Sequence, residues 1–202
     1  MFTAAYQDPD PDYLDDQLAQ LQGIGIATDA SGEVIGFTLY GWRELDLPVI
    51  GVHYVGLPGL ACADPTTRRK GVAAACGNAA GLVAVLGPLH LSVMKLATPA
   101  SLNMALRSLA VGSWPPADDP YALYRNPTRT QLLVTAALAR VHGCAGADGA
   151  VGIGRGRPIG RPKVDPEVTT EQAALFDGIN RDRGDSLLWV AWLVPPPDAW
   201  FT

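Results

Sequence analysis

Residues 61–86 read ACADPTTRRKGVAAACGNAAGLVAVL, and the chemistry most legible in them is anion binding. Asp64, Pro65, Thr66 and Thr67 lead out of an apolar, strand-like run. Arg68, Arg69, Lys70 and Gly71 then turn the chain into an Ala-rich helix that opens on Val72, Ala73 and Ala74. The first turn of a helix leaves backbone N–H groups without internal partners and carries a partial positive charge. Its natural ligand is an anion, above all a phosphate. Gly71 has no Cβ, so a ligand can approach its backbone closely.

Candidates for proton chemistry are fewer. His53, beside Tyr54 in an apolar run, has an ordinary pKa near neutrality and suits a general base. It reads equally as a hydrogen-bonded strand residue. His90 lies inside another apolar run and reads as a hydrogen-bonded core residue. His142 and Cys144 are neighbours, but two potential ligands do not make a zinc site. Cys62 is a thiol with no identifiable histidine partner. Arg155-Gly156-Arg157-Pro158, nearly repeated at Gly160-Arg161-Pro162-Lys163, matches the core of an AT-hook, which inserts arginines into narrow minor grooves. A Gly- and Arg-rich loop is the plainer reading. The Gly152-Ile153-Gly154 run is no dinucleotide fingerprint, because no helix pattern follows it.

The elements that must position these residues follow from periodicity. Residues 1–12, with two Asp-Pro pairs, predict an extended lead-in. Tyr13, Leu14, Leu18 and Leu21 recur at helical spacing and Gly23 stops them. Ile24 and Ile26 alternate before the turn signal Asp29-Ala30-Ser31-Gly32, and residues 34–42 resume as the second strand of a hairpin. Residues 44–48 predict a loop, and 49–63 a long strand broken at Gly56, Pro58 and Gly59, where a bulge is expected. Strands are predicted over 88–96 and 186–194, and helices over 101–110 and 130–141. Residues 143–166 predict no regular structure.

Arg68, Gly71 and Ala73 fill the Arg/Gln-x-x-Gly-x-Gly/Ala signature of the GNAT superfamily of acyl-CoA N-acyltransferases, and Pro65 fits its common form. The chain resembles that superfamily over residues 23–110. The resemblance implies an α/β fold with a central mixed, mostly antiparallel twisted sheet flanked by helices. It implies that the broken strand splays from its neighbour to open a wedge for the thioester arm. It also implies that acetyl-CoA, or another acyl-CoA, is co-substrate, bound by Ala61, Cys62, Ala63, Arg68, Arg69, Lys70, Gly71, Val72, Ala73, Ala74 and Asn103. The family's usual tyrosine after that asparagine is missing: Leu109 and Ala110 stand there. His53 and Tyr54 are the catalytic candidates on the strand bordering the wedge.

The 202 residues suffice for one domain, 1–202, with a lead-in at 1–22 and an atypical region at 114–170. Apolar residues make up 48% and charged ones 17%, as in a compact soluble fold. A net charge of −5 disfavours general nucleic-acid binding. Three cysteines at no recognisable spacing suit reduced thiols, and the acidic first residues carry no leader or anchor pattern, so the expected compartment is the cytoplasm. The expected partner is a small-molecule amine, with no metal, no membrane and no nucleic acid; a homodimer stays open. Alternatives are a GNAT-like decarboxylase, a non-catalytic acyl-CoA sensor, or a DNA-associated protein using the Arg-rich segment.

Overall fold

The computed structural model describes residues 6–7, 10–67, 71–84, 89–107, 114–116, 118–144, 153–155, 161–162 and 168–202. Its frame is a long antiparallel meander. Strand β2 (Gly23–Thr28) turns into β3 (Val34–Leu47) where the Asp29 carboxylate accepts from Ser31 N at 2.8 Å and Glu33 N at 3.0 Å. Gly32 supplies the left-handed conformation that the turn needs, at φ +87°. The predicted loop at 44–48 is instead the continuation of β3: Glu44 pairs with Tyr54, Leu45 with His53 and Leu47 with Gly51 of β4 (Gly51–Ala63). The charged residues there alternate with inward-facing Leu45 and Leu47, which is the period of a half-buried strand.

Six strands join in the order β2-β3-β4-β5-β8-β6, with β5 at Leu91–Leu96, β6 at Ile153–Arg155 and β8 at Asp185–Trp192. Among the described residues, only the β4–β5 pair is parallel. A parallel pair needs a crossover, and helix α2 (Val72–Ala84) supplies it. Residues expected to lack structure contribute β6 to this sheet and β7 (Arg161–Pro162) to a two-stranded ribbon with β1 (Tyr6–Gln7). Both pieces are too short to leave a period in the sequence.

Helices cover both faces. On one, α1 (Pro11–Gln20) places Tyr13 against Leu39, Leu60 and Cys62. On the other, α2 lies so close that a Cβ on Gly25 would overlap the Cys76 carbonyl, and one on Gly36 would overlap Val72. Helix α2 carries no charged residue. Cys76 is buried, but Ala74, Ala75 and Ala79 face outward, because small alanines expose little apolar area. Farther along, α3 (Pro99–Arg107), the short α4 (Ala122–Arg125), α5 (Arg129–Val141) and α6 (Thr170–Phe176) close the second half. Capping boxes at Thr128/Gln131 and Thr169/Gln172 start α5 and α6. Val134 and Leu138 of α5 pack with Trp114, Trp192 and Trp200, whose rings meet edge to face at 5.1 and 5.5 Å.

Candidate active site

The parallel junction is short. Strands β4 and β5 pair only at Val55/Leu91 and Gly56/Ser92, preceded by a bond from His90 N to the Tyr54 carbonyl at 2.9 Å. Just beyond, β4 bulges: Tyr40 pairs with Pro58 but Thr38 with Ala61, so Gly59 and Leu60 together oppose Leu39. The proline cannot donate to a ladder, and the bulge bends β4 away from β5.

On the α1 face this divergence is filled. The Val93 carbonyl accepts from His142 Nε2 at 2.9 Å, and Lys95 Nζ donates to the His142 carbonyl at 3.3 Å while lying 5.9 Å from the Tyr13 ring centre. Burial drives the His142 pKa down to about 4, lowers that of Lys95, raises the Cys144 thiol and takes Tyr13 up to about 12. His142, the Cys144 thiol and the Tyr13 phenol are thereby held in their neutral forms. At the junction itself, on the α2 face, the Tyr40 hydroxyl stands where a Cβ on Gly56 would be. The Ser92 hydroxyl there is buried, facing the Tyr40 hydroxyl. Burial raises the Tyr40 pKa and proximity to Ser92 offsets part of that, so the phenol stays protonated.

The anion-binding end is partly described. Gly71 has φ +77°, open space where a Cβ would stand, and a carbonyl that accepts from Ala75 N at 2.9 Å. It is therefore the residue from which α2 starts, and the N–H groups of Val72, Ala73 and Ala74 form its first turn. Thr38 Oγ1 donates to the Ala73 carbonyl at 2.9 Å and ties that turn to β3. No acidic side chain lies in this first turn to compete with an anion. Arg68, Arg69 and Lys70 lie outside the described residues.

His53 and His90 come together although 37 positions separate them: their Nδ1 atoms are 3.0 Å apart. His53 Nε2 lies 3.1 Å from the Ile50 carbonyl, and its ring meets Trp192 edge to face at 5.0 Å. Burial lowers the His53 pKa and the adjacent His90 ring lowers it further, against the opposing pull of the Ile50 carbonyl. Tyr54, on the opposite face of β4, is exposed, and its bond to Glu44 raises the phenol pKa. His90, expected to be a hydrogen-bonded core residue, is hydrogen-bonded, to a second histidine, but only half-buried. Only the fold brings it there, so nothing local in the sequence signals the contact.

Other expected contacts divide. Ala61 and Ala63 share a face with their partners Thr38 and Gly36, beneath α2. Cys62 turns the other way, into the cluster with Tyr13 and Leu39. Asn103 commits its carboxamide oxygen to Gln172 Nε2 at 2.7 Å, linking α3 to α6. Among the described residues no three His, Cys, Asp or Glu side chains gather as a metal site, and no helix is long and apolar enough to cross a membrane.

The chain thus combines a bulged β4, a two-rung parallel junction with β5 and a crossover helix whose first turn is tied to β3. The sheet is mixed and mostly antiparallel with helices on both faces, the architecture that the resemblance implies. No protein-family model matches the chain, and no curated protein matches it. Solved acetyltransferase structures match it in part. The GCN5-related glucosamine N-acetyltransferase region of a fungal multi-domain GH3 β-N-acetylglucosaminidase aligns over 43% of this chain at 18% identity and a TM-score of 0.35. An acetyltransferase from Vibrio fischeri aligns over 41% at 19% identity and a TM-score of 0.31. This chain covers 10% of the first protein's length and 65% of the second's. Naa20 of Chaetomium thermophilum, in complex with a bisubstrate analogue, aligns over 55% of this chain and 60% of its own, at 13% identity and a TM-score of 0.39. At such scores, function has to be argued from this chain's own geometry.

Proposed function

We propose that the chain is an acyl-CoA-dependent acyltransferase that moves an acetyl or other short acyl group to the amine of a small molecule. The observation that carries this is the presence on one sheet of two features: the two-rung, bulged junction of β4 and β5, and the start of α2 at Gly71, free of acidic side chains and tied to β3 through Thr38. A long thiol ester ending in a pyrophosphate has matching parts, an acyl end for the junction and an anion for the helix start. The residues present fit such a co-substrate. Ser92 offers a buried hydroxyl at the junction beside Tyr40, and Gly71 leaves its backbone open to close approach.

In this reading Gly71, Val72, Ala73 and Ala74 hold the phosphates, with Arg68, Arg69 and Lys70, next to them in sequence, adding positive charge. Ala61 and Ala63 border the arm. When bound, acyl-CoA supplies the thioester whose carbonyl carbon the amine attacks. The chain's own part is to hold amine and thioester side by side, which removes the entropy cost of their encounter. The bulge leaves backbone donors at Gly59 and Leu60 near the place where negative charge develops. The histidines at the head of the junction handle the amine's proton.

Mass spectrometry of products after incubation with acetyl-CoA and a panel of small primary amines tests the proposal. An acetylated amine formed in step with free CoA is the expected result. Loss of carbon dioxide from malonyl-CoA with no acylated amine would instead favour the decarboxylase alternative, which the missing tyrosine after Asn103 permits.

A further inference from the structure

The hydrogen bonds of the histidine pair, with its burial, fix where its protons lie. A backbone carbonyl only accepts, so His53 Nε2, at 3.1 Å from the Ile50 carbonyl, carries a hydrogen. In a neutral imidazole the other nitrogen is then a bare acceptor. His53 Nδ1 faces His90 Nδ1 at 3.0 Å, so the hydrogen in that bond belongs to His90. His90 is left with an unprotonated Nε2.

One contact competes. Tyr54 N–H points at the same His90 Nδ1 from 3.4 Å and would make that atom an acceptor. His53 would then have to donate from both nitrogens, as an imidazolium. Burial and the neighbouring ring both oppose that cation, so the first pattern holds at neutral pH. The other titratable neighbours do not change this. Tyr54 lies 5.8 Å from His90, ring centre to ring centre, and its phenol is kept protonated by Glu44; from β8 the contact to His53 is the uncharged Trp192.

We infer that His90, through Nε2, takes the proton from the substrate ammonium, and that His53 is the positioning residue that fixes the His90 ring. This rests on the acyltransferase reading above. His90 is well placed for it. Its N–H bonds to the Tyr54 carbonyl and its carbonyl accepts from Leu193 N at 2.8 Å, so the backbone is held from both β4 and the end of β8. Two residues on, at roughly 7 Å of strand, comes Ser92 at the junction. The ammonium gives one proton to Nε2, and its electron pair then forms the C–N bond to the thioester carbon. The C–S bond breaks, and the thiolate leaves as the thiol with the second nitrogen proton. His90 returns the first proton to solvent.

The test pairs conservative and disruptive variants. His90→Asn keeps an N–H donor at the Nδ1 position but removes the base; kcat should fall roughly a hundredfold or more, the scale of general-base loss, with CoA affinity unchanged. The ascending limb of the pH–rate profile should flatten. His53→Asn keeps an acceptor for His90 Nδ1–H and should hold most of the activity. His53→Leu releases the ring and should cost roughly tenfold to a hundredfold. Nitrogen-15 NMR of the wild-type imidazoles should show His90 protonated at Nδ1 and bare at Nε2. Full turnover in His90→Asn, or a wild-type His90 protonated at Nε2, would overturn the inference while leaving the acyltransferase reading intact. A wild type that neither binds CoA nor transfers an acyl group would remove that reading, and the role of His90 with it.

Discussion

His142 shows how one residue keeps the two strands apart. Where β5 loses β4 as a partner, its ring donates to the Val93 carbonyl that a straight β4 would otherwise satisfy. That role requires a buried neutral imidazole, with its pKa lowered from 6.5 to about 4 by burial and then by Lys95. The unfolded chain takes up the proton near pH 6.5 and the folded one only near 4, so stability present above 6.5 is lost as the pH falls through that window. Each pH unit costs roughly 1.4 kcal/mol there, about 3 kcal/mol in all. His142→Gln keeps a side-chain N–H donor and does not titrate. Urea unfolding at pH 7 and pH 4.5 should show the wild type losing clearly more stability than the variant. Equal losses would mean that His142 is not the titrating group. Nothing near His142 in the sequence signals this role. The acceptor belongs to a strand 49 positions away.

Among the elements, the β3–β4 hairpin does most of the positioning. It carries the bulge, His53 and Tyr54, and its turn presents the Ile50 carbonyl that fixes His53. That turn holds Val49 at φ +70°, a left-handed conformation costly for a β-branched side chain. Val49 is exposed and outside the core, so Val49→Asn should raise stability by about 1 kcal/mol and the melting temperature with it. An unchanged or lower melting temperature would show that the side chain is held by something beyond its backbone angle. The bulge was legible, because Pro58 and Gly59 interrupt an apolar run. So was the start of α2, because Gly71 ends a basic turn before an alanine run. The extension of β3 through Glu44 and Asp46 was not: charges at every second position look like a loop until their partners are seen. Strands β6 and β7 lacked any period, and the His53–His90 contact spans the whole crossover.

At the scale of the molecule, two halves meet at β5. The resemblance in residues 23–110 covers the anion site and the bulge, yet the sheet is completed by β8, all eight of whose residues are buried. Trp189, Trp192 and Trp200 are each almost wholly enclosed, and burying each aromatic is worth roughly 2–3 kcal/mol. Removing residues 185–202 should therefore exceed the few kcal/mol by which most domains are stable and leave no cooperative unfolding transition. A truncated chain with a sharp melt would contradict this. The central claim, that an acyl-CoA seats its phosphates on the start of α2 and its acyl end at the β4–β5 junction, is tested most directly by calorimetry with CoA. Gly71→Val is compared with Gly32→Val, since both positions have positive φ and open space but only Gly71 adjoins α2. Saturable binding to the wild type and to Gly32→Val, abolished in Gly71→Val, is the result the account predicts. Equal CoA affinity in all three proteins would contradict it.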